Sequence, residues 1–378
     1  MKTLLISLLH LNILVNVIAK ADIGSSACGY NGETDTSGEK CQNQPVKLEY
    51  IPDECTSLFY DGITIDNDFN ISPTNKETDK KRIFMLVDGT RPVILYYSRA
   101  NGIKGWFEAI DPSNVDTEVQ KLTDFFIDNP IEGLVLKGID YRFGLVPENE
   151  IPQNYSEKIS NYLRTIRAQF PSLQIGMYLE AKSLIHYGEL KSKRDGGCSK
   201  TPTDFTDWFS FGILNNVVDF YLFGFEEFNE CNCKFLKGGI TPLVTPDPKD
   251  PNINTLVRFS IALKEAPIPK TKTYLEYLIK PSLKKEDELK FRGCERSYNE
   301  YCENPDYKNS WCADNQDSFY EKGQFAVTYA RGFVAKDIDL VDRDNKCECN
   351  DDKFITFYMV LSGYRGDPMI TCSKISGS

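Results

Sequence analysis

Phe125-Phe-Ile-Asp-Asn-Pro-Ile-Glu-Gly-Leu-Val-Leu-Lys-Gly-Ile-Asp-Tyr-Arg-Phe143 is the stretch from which the fold is read. Its centre, Ile131–Ile139, is a β-prone apolar run bounded by polar residues, which predicts a buried strand. Side chains alternate along a strand, so Val135, Lys137 and Ile139 are expected on one face. A single lysine therefore interrupts an otherwise apolar row. A buried ammonium is costly unless it is paired, so carboxylates are expected near Lys137.

Similar β-prone runs recur on both sides of this segment. Candidate strands are Thr56–Ile65, Arg82–Val87, Val93–Ser98, Gln174–Leu179, Val217–Phe223, Lys272–Leu278 and Gly332–Ile338. Helical patterns fall between them at Val115–Ile127, Ser156–Gln169 and Asn254–Lys264, with Ser156 placed to cap its helix and Pro171 to end it. Alternation of this kind predicts an α/β fold with parallel strands. Periodicity alone does not separate a closed barrel from an open sheet.

The amino terminus reads as a secretory leader over residues 1–21. Lys2 is its basic flank, Leu4–Ile18 its apolar core, and Ala19-Lys20-Ala21 its small-residue cleavage site. No later apolar run is long enough to span a bilayer. All 12 cysteines follow the leader, and an even number in a secreted chain predicts disulfides. Cys231-x-Cys233 and Cys347-x-Cys349 have spacings that also occur in metal sites. Only two histidines are present, one of them in the leader, so no metal and no cofactor is expected. Loss of Lys2 and Lys20 would take the formal charge from −11 to about −13, a poor match to nucleic acid or anionic membranes. Asn70-Ile-Ser72 and Asn154-Tyr-Ser156 are glycosylation sequons. The remaining roughly 355 residues suit one (β/α)8 barrel with loop insertions.

The Ile131–Ile139 run resembles the fourth barrel strand of the glycoside hydrolase family 18 chitinases. That strand carries Asp-Gly-x-Asp-x-Asp-x-Glu, whose last residue is the proton donor. In the matching register Glu132 and Gly133 keep the entry, Val135 and Lys137 fall on the inner aspartates, and Ile139 falls on the glutamate. Further segments are similar to the family in order along Cys28–Gly366. They are Tyr50–Phe59 at the second strand, Pro267–Lys270 before the seventh, Tyr298–Cys302, Asp314–Phe319, and Gly332–Cys347 at the eighth. The resemblance implies a (β/α)8 barrel over residues 22–378 and the disulfides Cys28–Cys55 and Cys302–Cys347. It leaves the pairing of the other eight cysteines open. It also implies a reduced, disulfide-tied insertion between the seventh and eighth strands, at about Pro281–Lys322, and hence a low wall to any groove.

Family 18 enzymes use the substrate's acetamido group as nucleophile, with a raised-pKa acid and an orienting carboxylate. Here the eighth-strand Trp position holds Lys336. The third-strand Ser-x-Gly-Gly becomes Leu95-Tyr-Tyr-Ser98, and the sixth-strand Met-x-Tyr-Asp becomes Phe223-Gly-Phe-Glu226. The resemblance therefore implies a secreted, extracellular, catalytically inactive member that binds a glycan or an extracellular protein partner. Two alternatives stay open: a weak glycosidase with its acid relocated to Glu180, Glu226 or Asp140, and a secretory or storage protein with no specific ligand. The expected pocket comprises Tyr96, Tyr97, Lys137, Glu180, Glu226, Glu276 and Lys336, with Glu227 adjacent. Tyr141 and His186 read as packing residues, and Lys191-Ser-Lys-Arg194 as a solvated loop.

Overall fold

Eight parallel strands close on one another in sequence order: β1 Ser26–Asn31, β2 Leu58–Asp61, β3 Val93–Tyr97, β4 Gly133–Leu136, β5 Gln174–Glu180, β6 Phe220–Gly224, β7 Thr273–Leu278 and β8 Gly332–Lys336. β8 pairs with β1 to complete the ring, in the register Cys28↔Ala335 and Gly29↔Lys336. The chain is thus a (β/α)8 barrel, seen in a computed structural model that describes residues 20–31, 48–74, 78–87, 89–141, 150–195, 208–291, 295–349 and 353–376. The expected leader up to residue 19, and Cys41, Cys198 and Cys294, lie outside the described residues.

Alternation along each strand divides the core into two layers. Ile94, Tyr96, Val135, Tyr178, Leu222, Tyr274 and Val334 fill the barrel interior. Their neighbours Val93, Leu95, Tyr97, Leu134 and Leu136 face outward and pack under the helices. The helices Val115–Asp128, Tyr155–Gln169 and Leu256–Glu265 form close to where the apolar spacing places them.

Several expectations are corrected. Arg82–Val87 is not a strand but the end of the helix Thr78–Val87, with Ile83 and Leu86 buried at helical spacing. A short apolar run is compatible with either state, and here the period-three pair decides. Thr56–Ile65 splits in two: Leu58–Asp61 enters the barrel, and Ile63–Ile65 pairs antiparallel with Ile71–Pro73. The first strand has no β-branched residue, so β-propensity does not reveal it. Its small side chains serve closure instead: a Cβ on Gly29 would stand 3.0 Å from the Lys336 Cα. Ser156 does not cap its helix. Asn154 is the N-cap in a left-handed conformation, and the Ser156 hydroxyl accepts from the Ser210 N–H at 2.9 Å. Lys191–Arg194 is not a loop, because the helix Ala181–Asp195 includes it.

The excursion after β7 is small. Ser282–Leu283 pairs with Trp311–Cys312, and short helices at Glu288–Phe291 and Tyr298–Glu303 lie between them. Lys322 already lies in the barrel helix Gln316–Tyr329. Disulfides link Cys28 to Cys55, Cys231 to Cys312, Cys302 to Cys347 and Cys349 to Cys372. Cys231–Cys312 ties the excursion to the loop after β6, and Cys302–Cys347 ties it to the segment after β8. Such cross-links stabilise by about 2–4 kcal/mol each.

Outside the barrel, Glu118 is fully buried and accepts from the Tyr97 and Tyr162 hydroxyls at 2.6 and 2.7 Å and from the Arg99 guanidinium. This cluster fixes the helix Val115–Asp128 against β3. Removing one partner of a buried pair leaves the other uncompensated. Glu118→Ala is expected to lower unfolding free energy by about 3–5 kcal/mol, read from urea midpoints.

Candidate functional site

The carboxyl ends of barrel strands are where side chains from different strands converge on one open face. In this chain that face is lined by charge. Lys137 follows β4, and its ammonium lies 2.6 Å from Asp61 at the end of β2. The same ammonium stands 5.2 and 5.8 Å from the ring centroids of Tyr96 and Tyr178. On the opposite side Lys336, at the end of β8, lies 2.6 Å from Glu226 just past β6. One residue layer deeper, Glu276 on β7 is level with Val334 and Gly224, and the Tyr96 hydroxyl donates to it. Lys280, after β7, contacts both Glu295 and the buried Asp337, the latter at 3.1 Å.

The two glutamates differ in character because their surroundings differ. Burial opposes ionisation of Glu226, but Lys336, with Lys137 and Lys280 further off, overrides it and brings its pKa from 4.5 to about 2. Its side chain is still 43% exposed, so water screens the pair. Glu276 is only 1% exposed; burial raises its pKa, and Lys336 and the Tyr96 hydrogen bond offset that only in part. Burial and the facing Glu276 both push the Tyr96 and Tyr178 phenols well above their ordinary value. Burial would discharge Lys336, yet Glu276, Glu226 and Asp337 together raise its pKa. The mouth therefore holds fixed opposite charges rather than one titrating group.

The structure brings Tyr96, Lys137, Glu226, Glu276 and Lys336 together. Tyr97 faces outward and belongs to the Glu118 cluster, away from the mouth. The shared face expected of Val135, Lys137 and Ile139 extends to the first two only. Val135 lies in the inner layer. After Leu136 the strand ends, and Gly138 adopts a left-handed conformation (φ +78°) that shifts the phase. Ile139 is consequently buried in the outer layer. Asp140 accepts from the Trp208 indole N–H at 2.6 Å and from the Glu180 backbone N–H at 3.0 Å. Glu180 is buried beside it and adds negative potential at Tyr178. Glu227 pairs with Lys182 at the surface, 2.8 Å away. Tyr141 packs on Tyr155 and Phe209, and His186 on Tyr187.

Sequence reasoning missed Asp61, Tyr178, Lys280 and Asp337. A usable signal exists for two of them: Asp61 closes Leu58-Phe-Tyr and Lys280 follows Leu275–Ile279, each a charged residue ending an apolar strand. Cys231, Cys347 and Cys349, considered above for metal spacing, are all in disulfides. Among the described residues no group of three or more His, Cys, Asp or Glu is placed to hold a metal.

No family model matches the chain, and no curated protein matches it in sequence. Solved structures do match its shape. Catalytic domain 2 of the Ostrinia furnacalis Group II chitinase superposes with a TM-score of 0.68 at 13% identity, over 94% of this chain and 100% of that one. The immunomodulatory active chitinase TsES1 from Trichuris suis gives 0.62 at 15% identity, over 89% and 98%. Human YKL-39, described as a pseudo-chitinase with retained chitooligosaccharide binding, gives 0.61 at 13% identity, over 90% and 99%. At these identities the likeness establishes a chitinase-like barrel and nothing finer.

The depressed pKa of Glu226 has a defined pH signature. A carboxyl whose folded pKa lies below its unfolded one stabilises the fold above the unfolded value and ceases to do so as pH falls through the folded value. The stability gap between wild type and Glu226→Gln is expected to be constant above about pH 5 and to narrow as pH falls from 4.5 towards about 2. Urea midpoints across that range measure it.

Proposed function

We propose that the protein is a secreted, non-hydrolytic chitinase-like barrel that acts by binding an extracellular partner. The observation that carries this reading is the chemistry of the mouth. Glycoside hydrolysis needs an accessible carboxyl that holds its proton at working pH. Glu226 is open to solvent, and Lys336 beside it holds its carboxyl below the usual range, in the ionised form at working pH. Glu276 is the mouth carboxyl with a raised pKa, and it lies buried one layer below Lys336. Asp140 is buried, and its carboxylate accepts from the Glu180 backbone N–H and the Trp208 indole N–H. Val135 and Lys137 occupy the inner positions that the family resemblance assigns to aspartates. Active chitinases and a pseudo-chitinase share the fold, so fold alone does not choose between them. The retained chitooligosaccharide binding of YKL-39 makes a glycan one natural partner class.

Export is supported by the leader-like terminus and by the four disulfides among the described residues. No helix among those residues is long and apolar enough to cross a membrane. Asn70 and Asn154 are both exposed, as glycan acceptors must be. Material secreted from a eukaryotic host is expected to lose mass in two steps on partial N-glycosidase digestion, with one step removed in each of Asn70→Gln and Asn154→Gln.

On a fluorogenic chitobiose substrate the wild type is expected to show no turnover, since a missing general acid alone removes about 10²–10⁴-fold. Ile139→Glu is expected to stay inactive too, because position 139 points into the outer core. Triple replacement Val135→Asp, Lys137→Asp, Ile139→Glu should do no better, as the new acid would still be buried away from the mouth. Family-like turnover by the wild type would overturn the non-hydrolytic reading.

A further inference from the structure

Beside the mouth, under the excursion after β7, lies a cavity of about 770 Å³. This is the size range of ligand sites. Leu278, Leu283 and Trp311 supply apolar lining, and Leu289 stands on its lip 94% exposed. Leu289 thereby carries the apolar lining out to the edge of the cavity. The Trp311 indole N–H is buried and has no acceptor among the described residues. The rim is acidic. Among the described residues, Glu226, Glu288 and Glu295 line it, against Lys280. Lys280 is held by Glu295 and Asp337, and Lys336 by Glu226. With Lys336 counted beside Glu226, three rim carboxylates stand against two ammonium ions, and Glu288 has no ion pair among the described residues.

We infer that this cavity, and not the barrel axis, is the docking site, and that its occupant is a peptide segment carrying an aliphatic side chain next to a basic one. The inference rests on the binding reading above and names its partner class. On the axis, the ion pairs Lys137–Asp61 and Lys336–Glu226 already occupy the mouth. In the cavity, the aliphatic side chain covers Leu283 and Leu289, and the cation meets Glu288 and the surplus negative charge. A neutral oligosaccharide fits less well. It stacks on exposed ring faces, whereas Trp311, the aromatic in the lining, is 2% exposed. Opposite charges across such a rim set specificity and association rate more than raw affinity.

The test uses fluorescein-labelled capped peptides of sequence Gly-Leu-Leu-Arg-Arg-Gly and Gly-Leu-Leu-Glu-Glu-Gly, titrated with the full mature protein by anisotropy. Chitotetraose serves as competitor. The arginine peptide is expected to bind at least about tenfold more tightly than the glutamate peptide, and less tightly as salt rises. Glu288→Lys and Leu289→Asp, both at exposed positions, should each weaken it by about tenfold. Chitotetraose should not displace it. Equal binding of the two peptides, or none up to about 1 mM, would overturn the inference. So would displacement by chitotetraose, which would mark the cavity as a sugar site while leaving the non-hydrolytic reading intact. That reading fails separately, through turnover of the chitobiose substrate.

Discussion

Closure of the barrel between β1 and β8 is the constraint on which the remaining structure depends. A parallel sheet that fails to close leaves two edges of unpaired backbone groups, and closure alone removes them. In this chain the seam is made by Ser26, Ala27, Cys28 and Gly29 against Phe333–Lys336. Gly29 lies opposite Lys336, and the space a side chain would fill there is taken by the Lys336 backbone. The same register holds the Lys336 ammonium at the mouth, within reach of Glu226 two strands away. Cys28–Cys55 joins β1 to the entry of β2, so one strand of the seam is covalently tied.

From the seam follows the electrostatics of the open face. Two ammonium groups are carried into an aromatic interior, and each is matched by a carboxylate from the next strand but one. Ion pairs of this kind contribute little net stability, since desolvation offsets much of the attraction. What they supply is a fixed arrangement: Lys137 lies over Tyr96 and Tyr178 because Asp61 holds it there. Glu226 and Glu276 are the same residue type a few residues apart in space, yet one is driven acidic and the other is kept reluctant to ionise. Separation of that sort assigns roles in many active sites. Here the acidic member is outermost, so the group open to a ligand is a charge and not a proton donor.

The excursion after β7 is the second determinant of the face. Its two strands and short helices are cross-linked at Cys312 to the β6 side and at Cys302 to the β8 side. Both anchors hold Trp311 in the floor and present Glu288 and Leu289 at the lip. A wall tied on two sides is pre-organised, which lowers the ordering cost of binding.

Much of the barrel was legible in the amino-acid sequence, because parallel strands buried on both faces must be apolar runs. Val93–Tyr97, Gly133–Leu136, Gln174–Glu180, Phe220–Gly224, Thr273–Leu278 and Gly332–Lys336 all stand out for that reason. The need to pair Lys137 and Lys336 was also readable, since unpaired ammonium groups are not buried. Glu226 stood among the carboxylates grouped with Lys336, but nothing marked Asp61 as the partner of Lys137. Asp61 and Lys137 are far apart along the chain and meet only because β2 and β4 converge at the mouth, information that resides in closure and register. Ile139 shows the same limit locally. Strict alternation puts it in line with Val135, but one left-handed glycine at position 138 turns its side chain into the outer core, and no pattern of apolar residues encodes that turn. Composition and periodicity thus determined most of the barrel strands and that their buried charges required neutralising. The tertiary structure alone decided which charges meet, because strand pairing and a single backbone torsion set the facing of every side chain beyond them.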